Sequence, residues 1–497
     1  MVRPRLRRFP SAALAVLACA WLASCAVGPD YVRPAVEVPA AYKETGAWKT
    51  AEPRAVDSHQ PWWEWYGDET LNGLVVAANA ANQNIRQAEA QYRQAKAVLD
   101  ADRSGFYPNL SGGLSAGRGV SATTGRDVTA YGASLSASWV PDLWGAVRRS
   151  VESGEAGVAA SADDLAAARL SIQVAVAQDY LQLRYVDVQR ELYANTVAAY
   201  TRALKLTQAQ FGAGVVLRSD VALAQTQLKT AQAQGVDLDA QRSQLEHAIA
   251  ILTGRPPAAF ALAVVAPADK FQARMPVIPS TLPSELLESR PDVAAAERRA
   301  ALANANIGVA KAAYYPQLNL GASGGLSGGT FGLLFDTPSR VWSLGATLAQ
   351  TLFDGGLRRA HTEQAIAAFD IAVAQYKQVV LSSFQQVEDD LSTLRVLDQE
   401  TALQDEAVAA AQVAEQLALT QYRGGTANYL AVVTAQTLAL SNERTAVQLR
   451  SRQLTTSVAL IAATGGGWSP GTGPLAPPPQ APASAPSIST ASTSPGS

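Results

Sequence analysis

Sulfur is almost missing from this chain: two cysteines and two methionines stand among 497 residues. Cys19 lies inside an N-terminal stretch that reads as a targeting segment, and Cys25 ends it. The mature protein therefore has no disulfide, although the chain is exported. Histidine is nearly as scarce, and His59, His247 and His361 share no metal-ligand spacing. With no phosphate-cradling loop and no nucleophile motif, an enzyme is excluded, and neither a metal nor a soluble cofactor is expected. Charged residues make up 16% and aromatics 7%. The formal net charge is −2, and removal of residues 1–24 leaves 36 basic against 42 acidic residues, which offers nothing to nucleic acid. Long apolar runs are missing too. After residue 25 no stretch of about 18 apolar residues occurs, so no helix spans a membrane.

What is present begins with export. Arg3, Arg5, Arg7 and Arg8 precede an apolar stretch from Ala12 to Ala23, too short for a permanent span. The ending Leu22-Ala23-Ser24-Cys25 resembles the bacterial lipoprotein signal, in which Cys25 becomes the lipidated first residue of the mature chain. An ordinary signal peptide beside a chance cysteine is the alternative. A covalent lipid adds ~0.8 kcal/mol of membrane affinity per buried methylene. Ala26, in place of an aspartate, resembles lipoproteins sorted to the outer membrane.

The rest of the chain says nearly the same thing twice, about 210 positions apart. Phe106-Tyr107-Pro108-Asn109-Leu110, Gly145-Ala146-Val147-Arg148-Arg149 and Phe211-Gly212-Ala213-Gly214 recur as Tyr314-Tyr315-Pro316-Gln317-Leu318, Gly355-Gly356-Leu357-Arg358-Arg359 and Tyr422-Arg423-Gly424-Gly425. Leu252-Thr253-Gly254 closes one half and Ala463-Thr464-Gly465 the other. The expected layout is a leader over 25–65, a first repeat over 66–253, an equatorial segment over 254–283, a second repeat over 284–464 and a disordered Gly/Pro/Ser/Ala tail over 465–497.

Each repeat holds two alternating segments, expected as strands at about 108–118 and 130–140, then 316–326 and 341–352. Tyr131, Ala133, Leu135, Ala137 and Trp139 alternate with Gly132, Ser134, Ser136 and Ser138, and Trp342, Leu344, Ala346 and Leu348 with Ser343, Gly345, Thr347 and Ala349. A soluble half-buried sheet fits this pattern taken alone. The export signal turns the reading to membrane strands, greasy outside and polar inside, with Tyr131, Trp139, Trp342 and the Phe106-Tyr107 and Tyr314-Tyr315 pairs as an interfacial belt. Four strands do not close, and an open edge in lipid strands backbone groups at several kcal/mol each. Identical copies must complete the wall. Three copies give twelve strands.

No Gly or Pro interrupts Val158 to Phe211 or Leu357 to Arg423. Helices are therefore expected over about 146–211 and 357–423, each ~100 Å long at 1.5 Å per residue. Apolar residues recur every seven positions at Leu165, Ile172, Val186, Tyr193 and Tyr200, with a second seam at Val176, Leu183, Val197, Leu204 and Phe211. The other half repeats the step at Ile366, Val373, Val380, Val387 and Leu394. That spacing specifies coiled-coil contact. Helices alone fit a solid bundle as well as a hollow one; a barrel above them favours the hollow form. Tip turns are expected at 212–218 and 424–427, and returning helices over 219–253 and 428–464, capped by Ser219-Asp220 and Asn428. Glu388-Asp389-Asp390 reads as a solvated or lumen-facing acidic stripe.

Cys25-Ala26-Val27-Gly28-Pro29-Asp30-Tyr31, Trp62-Trp63 with Tyr66-Gly67-Asp68, the two aromatic-Pro strand entries, Leu352-Phe353-Asp354-Gly355-Gly356 and Tyr422-Arg423-Gly424-Gly425 together resemble the outer membrane factor (TolC-like) family, nearest its lipoprotein branch serving resistance-nodulation-division pumps. The resemblance implies a mainly α protein with a transmembrane β-barrel: a homotrimer whose twelve-stranded barrel continues into a twelve-helix periplasmic tunnel. It implies residence in the outer membrane of a Gram-negative bacterium among outer membrane lipids. It also implies docking to a periplasmic adaptor and an inner-membrane transporter as an exit duct for small molecules. Protein secretion through the same duct, or a lipoprotein spacer without a pore, are the alternatives. By the same resemblance the turns Gly212-Ala213-Gly214 and Arg423-Gly424-Gly425-Thr426 touch the adaptor, though plain helix caps account for their conformation. Asp220, Tyr422, Asn428 and Leu430 become gate candidates. Relatives carry an aspartate one turn past the leucine; here Thr434 stands there, which points to apolar closure by Leu430 with Thr434 behind it. Asp220 also suits a helix N-terminus, where a carboxylate gains about 0.3–1 kcal/mol.

Overall fold

The computed structural model describes residues 26–44, 61–120, 125, 127–264, 275–276, 289–332 and 340–468. Cys25, most of the equatorial segment and the tail after Trp468 lie outside the described residues. The helices are α1 (Glu69–Ala81), α2 (Gln83–Ser104), α3 (Ala146–Gly212), α4 (Arg218–Leu252), α5 (Pro291–Ala312), α6 (Leu357–Arg423) and α7 (Tyr429–Ala463). The strands are β1 (Asn109–Val120), β2 (Asp127–Trp139), β3 (Gln317–Gly328) and β4 (Arg340–Ala349).

The two long helices, α3 and α6, each contain 67 residues. Their start is set by an aspartate that reaches forward over the first turn. Asp142 accepts from the Val147 and Arg148 amides at 3.0 Å, and Asp354 does the same for Gly356 and Arg358. Arg148 and Arg358 then pair with those carboxylates, so cap and counter-ion sit within one turn. The remaining helices stack end to end beside them. Asn82 donates from its side chain to the Leu252 carbonyl at 2.8 Å, which seats α2 on the end of α4. Arg290 donates to the Ala463 carbonyl at 3.0 Å, which seats α5 on α7. Four helical columns result, two continuous and two jointed at the same level.

Seven-residue periodicity places the seams as expected through the middle of the columns. Leu165, Ile172, Val176, Leu183, Val186, Tyr193 and Tyr200 are buried, as are Val380, Val387 and Leu394. The ends differ: Phe211 and Ile366 are exposed, because the single chain has no neighbour there. Three further expectations need correction, and one helix that they did not specify is divided. Trp62–Tyr66 is a 3₁₀ turn with Trp62 and Tyr66 in the main core, so the body begins before residue 66. The helix before β1 is split, because the Asn82 side chain accepts from the Asn84 and Ile85 amides and starts a new helix there. β4 stops at Ala349 instead of 352. The C-terminal turn, including Gly465 to Gly467, remains ordered against Trp62 and Leu170 before the tail begins.

Two irregular segments bind equivalent places on the two repeats. Arg184 and Arg242 meet buried Asp187, donate to the Ala263 and Leu262 carbonyls, and so fix 255–264 across α3 and α4. Thirty-eight positions into α6, as Arg184 is into α3, Arg395 meets Glu44 of the leader at 2.9 Å. Glu388, expected to be a solvated or lumen-facing acid, instead accepts from the Lys43 and Glu44 amides. At its upper end the leader is held by Arg149, which is buried and reaches Asp30 at 2.8 Å, Glu152 at 2.7 Å and the Val27 carbonyl at 3.3 Å. Hydrogen bonds to a charged group contribute about 1.5–3 kcal/mol each. Arg149→Ala should therefore speed trypsin cleavage at Arg33 or Lys43 by about tenfold or more, since ~1.4 kcal/mol is a factor of ten. An unchanged cleavage rate would mean the leader is held elsewhere.

Candidate functional site

The four strands form one antiparallel meander in the order β1-β2-β3-β4, so the two repeats join at β2 and β3. Registered partners in an antiparallel sheet share a face, which sorts the residues without ambiguity. Leu110, Leu114, Leu135, Trp139, Leu318, Leu320, Leu326, Trp342, Leu344 and Leu348 fall on one side. Ser111, Ser136, Ser323 and Ser343 form a row across the other, with 2.8 Å between the Ser323 and Ser343 hydroxyls. That hydroxyl face carries no charged residue among the described positions and no side chain larger than glutamine. The apolar face is bare: Leu114 is 88% and Trp342 82% exposed. Soluble proteins rarely leave an apolar surface of this kind uncovered. β1 and β4 also each present an unpaired edge.

At the opposite end the columns turn. Gly214 (φ 74°) and Gly425 (φ 73°) are left-handed, and Val215 and Thr426 donate back to Gln210 and Gln421, both at 2.9 Å. Both turns are therefore the same Schellman motif, and only Gly214 and Gly425 require glycine. Gly212, Ala213, Arg423 and Gly424 continue the helical conformation and end the long helices. α4 is not capped by Ser219. Leu217 is the cap residue, and Asp220 in the first turn accepts from the Leu217 amide at 3.2 Å. Asp220 thus serves the helix terminus. Asn428 caps α7 by accepting from the Ala431 amide at 3.1 Å.

Tyr422 and Leu430 are not brought together. Leu430 is 56% exposed, and Thr434 bonds back to the Leu430 carbonyl at 2.9 Å. Tyr422 is buried, with its hydroxyl donating to Gln210 and lying 3.4 Å from the Thr207 hydroxyl. Its ring meets Tyr429 at 5.4 Å, and Ala224 and Val432 complete the cluster. Burial, then the neighbouring Tyr422, pushes the Tyr429 hydroxyl up to about 12, so it stays protonated. Tyr429, Thr207 and Gln210 escaped the sequence reading. Thr207 was within reach, since it continues the seven-residue step of Tyr193 and Tyr200.

A sheet that is greasy on one face and hydroxylated on the other, open at both edges and carried on ~100 Å helices, is one stave of a membrane channel that continues as a helical duct. The chain belongs to the outer membrane efflux protein family, whose model matches residues 74–255 and 282–466. It is 30% identical over 464 residues to the pyoverdine export outer membrane protein OpmQ of Pseudomonas aeruginosa, covering 91% of this chain and 96% of that protein. It is 27% identical over 462 residues to the cation efflux system protein CusC of Escherichia coli, covering 90% and 96%. The solved outer-membrane channel OprN superposes with a TM-score of 0.82 at 29% identity, over 90% of this chain and 100% of that one. The open state of the MtrE channel of Neisseria gonorrhoeae gives 0.77 at 26%, over 89% and 98%. The protein is an outer membrane efflux channel, not an enzyme.

Proposed function

We propose that three copies close their sheets into a twelve-stranded barrel and their columns into a twelve-helix tunnel, the exit duct of a tripartite pump. In this reading small molecules enter from a periplasmic adaptor and an inner-membrane transporter of the resistance-nodulation-division class. Cys25 carries the lipid anchor and no other cofactor is needed. The observation that carries this is the pair of unpaired edges on a sheet whose apolar face is bare. Each unpaired backbone group in hydrocarbon costs several kcal/mol, and only partner strands remove that cost. The names of the relatives support export; they do not fix the cargo here.

The tips support the resting state. Tyr422 ties the end of α6 to α3 through Gln210 and Thr207, which holds the second hairpin against the first. Exposed Leu430 is left free to meet its copies as an apolar constriction. Adaptor contact at Gly212 to Gly214 and Arg423 to Thr426 would splay the second hairpin and break the tyrosine tie. Tyr422→Ala and Leu430→Ala should each raise single-channel conductance in planar bilayers severalfold. Unchanged conductance in both rejects this gate. A purified species of one copy, soluble without detergent after Cys25→Ala, rejects the duct itself.

A further inference from the structure

The apolar face of the sheet does not stay apolar to its end. Outward positions on β1 run Leu110, Gly112, Leu114, Ala116 and then Arg118; on β4 they run Leu348, Ala346, Leu344, Trp342 and then Arg340. Each arginine stands eight residues beyond the lowest leucine of its strand, about 27 Å along the strand at ~3.4 Å per residue; at a barrel tilt of about 35–45° that is about 20 Å of height, toward the top of an apolar band about 25 Å tall. Both lie at the end away from the helices, on the outer-leaflet side.

The two also share one height. Arg340 belongs to the registered row Leu114–Ala133–Leu326, while Arg118 sits four positions farther along β1. Four residues are about 14 Å along a strand, and three strand steps about 14 Å across, so a tilt of about 45° levels them. Barrel strands tilt by about 35–45°. The lower leucines show the same offset, since Leu110 lies in the row of Leu344, four positions from Leu348. β1 and β4 are the two edges. Closure by identical copies, the reading proposed above on which this rests, sets Arg340 of one copy at the height of Arg118 on the adjoining strand of the next, about 7 Å away along the rim at that tilt.

Like charges side by side on a sheet repel. Arg118 is 74% exposed and meets Asp127 at 3.0 Å, which offsets only one of the two charges. Arg340 is exposed and has no ion pair among the described residues. The ring pair Tyr131 and Phe331, 6.0 Å apart, marks the same membrane boundary. We propose that each seam binds the phosphate groups of a phosphorylated glycolipid of the outer leaflet, with its acyl chains against Leu114, Leu344 and Trp342. The planar guanidinium fork matches a phosphate, and the partly shielded site strengthens the contact.

The probe is bisphosphorylated lipid A in mixed micelles, compared with the same lipid stripped of phosphate, and retained lipid is counted by native mass spectrometry. Wild type should hold the phosphorylated form about tenfold better, the factor for one charge-assisted contact of ~1.4 kcal/mol. Arg118→Gln with Arg340→Gln should abolish that preference while leaving the number of copies in the assembly, read from the same spectra, unchanged. Arg118→Lys with Arg340→Lys should keep part of it, since lysine retains the charge and loses the fork. A wild type indifferent to phosphate, or a Gln pair that keeps the preference, overturns the proposal. Wild type running as single copies overturns the closure reading instead, and the seam with it.

Discussion

Asp187→Ala should lower the stability of the purified protein by about 3–5 kcal/mol, the range for removing one partner of a buried ion pair. Asp187 sits among three guanidiniums, with Arg184 at 3.2 Å, Arg242 at 2.7 Å and Arg190 at 3.8 Å, and its side chain and that of Arg184 are almost wholly withdrawn from water. Arg242 would keep Glu246 at 2.9 Å, but Arg184 would keep the Ala263 carbonyl and the face of the Tyr180 ring and no carboxylate. An uncompensated charge would then remain in the core, and its desolvation outweighs the lost attraction. The repeat supplies the control. Asp398 occupies the same place in α6 but accepts from neutral Gln453 near the surface. Asp398→Ala should cost only about 0.5–1.5 kcal/mol, one ordinary hydrogen bond. Guanidinium unfolding in detergent, read by far-ultraviolet circular dichroism, separates the two by their midpoints. Equal shifts would mean that the network contributes nothing beyond a hydrogen bond. Trypsin cleavage at Arg255 gives a second readout, because the same arginines hold 255–264 in place.

The contrast between Asp187 and Asp398 shows where the sequence was legible. Duplication, strand alternation and heptad spacing are periodic signals, and periodicity is imposed by geometry that every residue shares. They located four strands and two long helices to within a few residues. The waist obeys no period. Arg184 and Arg395 are equivalent by count, yet one grips the segment between the repeats and the other grips the leader. Nothing local in either sequence announces a carbonyl that arrives 79 positions later or a glutamate 351 positions earlier. Glu388 was misread for the same reason, since its partners are backbone amides of a distant, irregular stretch. At the tips the turns were legible because glycine is the residue that accepts positive φ. Leu217 as the cap of α4 was not, because a leucine side chain makes no capping bond and its place is fixed by the Schellman turn before it.

Glycines at the column joints should matter far more than those at the tips, although all look alike in the sequence. A β-carbon on Gly465 (φ 93°) would lie 1.9 Å from the Ser289 carbonyl oxygen, and one on Gly254 (φ 70°) 2.5 Å from that of Ala81. Both obstacles are backbone, which cannot rotate aside, so the stacked helices would have to part. Gly425 (φ 73°) faces open space, and Gly424 (φ −78°) is in an ordinary helical conformation. Gly424→Ala should then fall within about 0.5 kcal/mol of wild type. Gly425→Ala should cost about 1–2 kcal/mol for a left-handed alanine. Gly465→Ala adds the steric clash to that strain and should exceed ~3 kcal/mol, with Gly254→Ala close behind. The level of heat-resistant assembled protein in isolated outer membranes measures this order. Gly465→Ala should leave a tenth or less of the wild-type amount, since the lost stability corresponds to about a hundredfold in the folding equilibrium. Whatever assembles should conduct normally, because the tips are untouched. If Gly424→Ala and Gly465→Ala assembled equally well, the close approach of Gly465 to Ser289 would not be what holds α7 and α5 end to end.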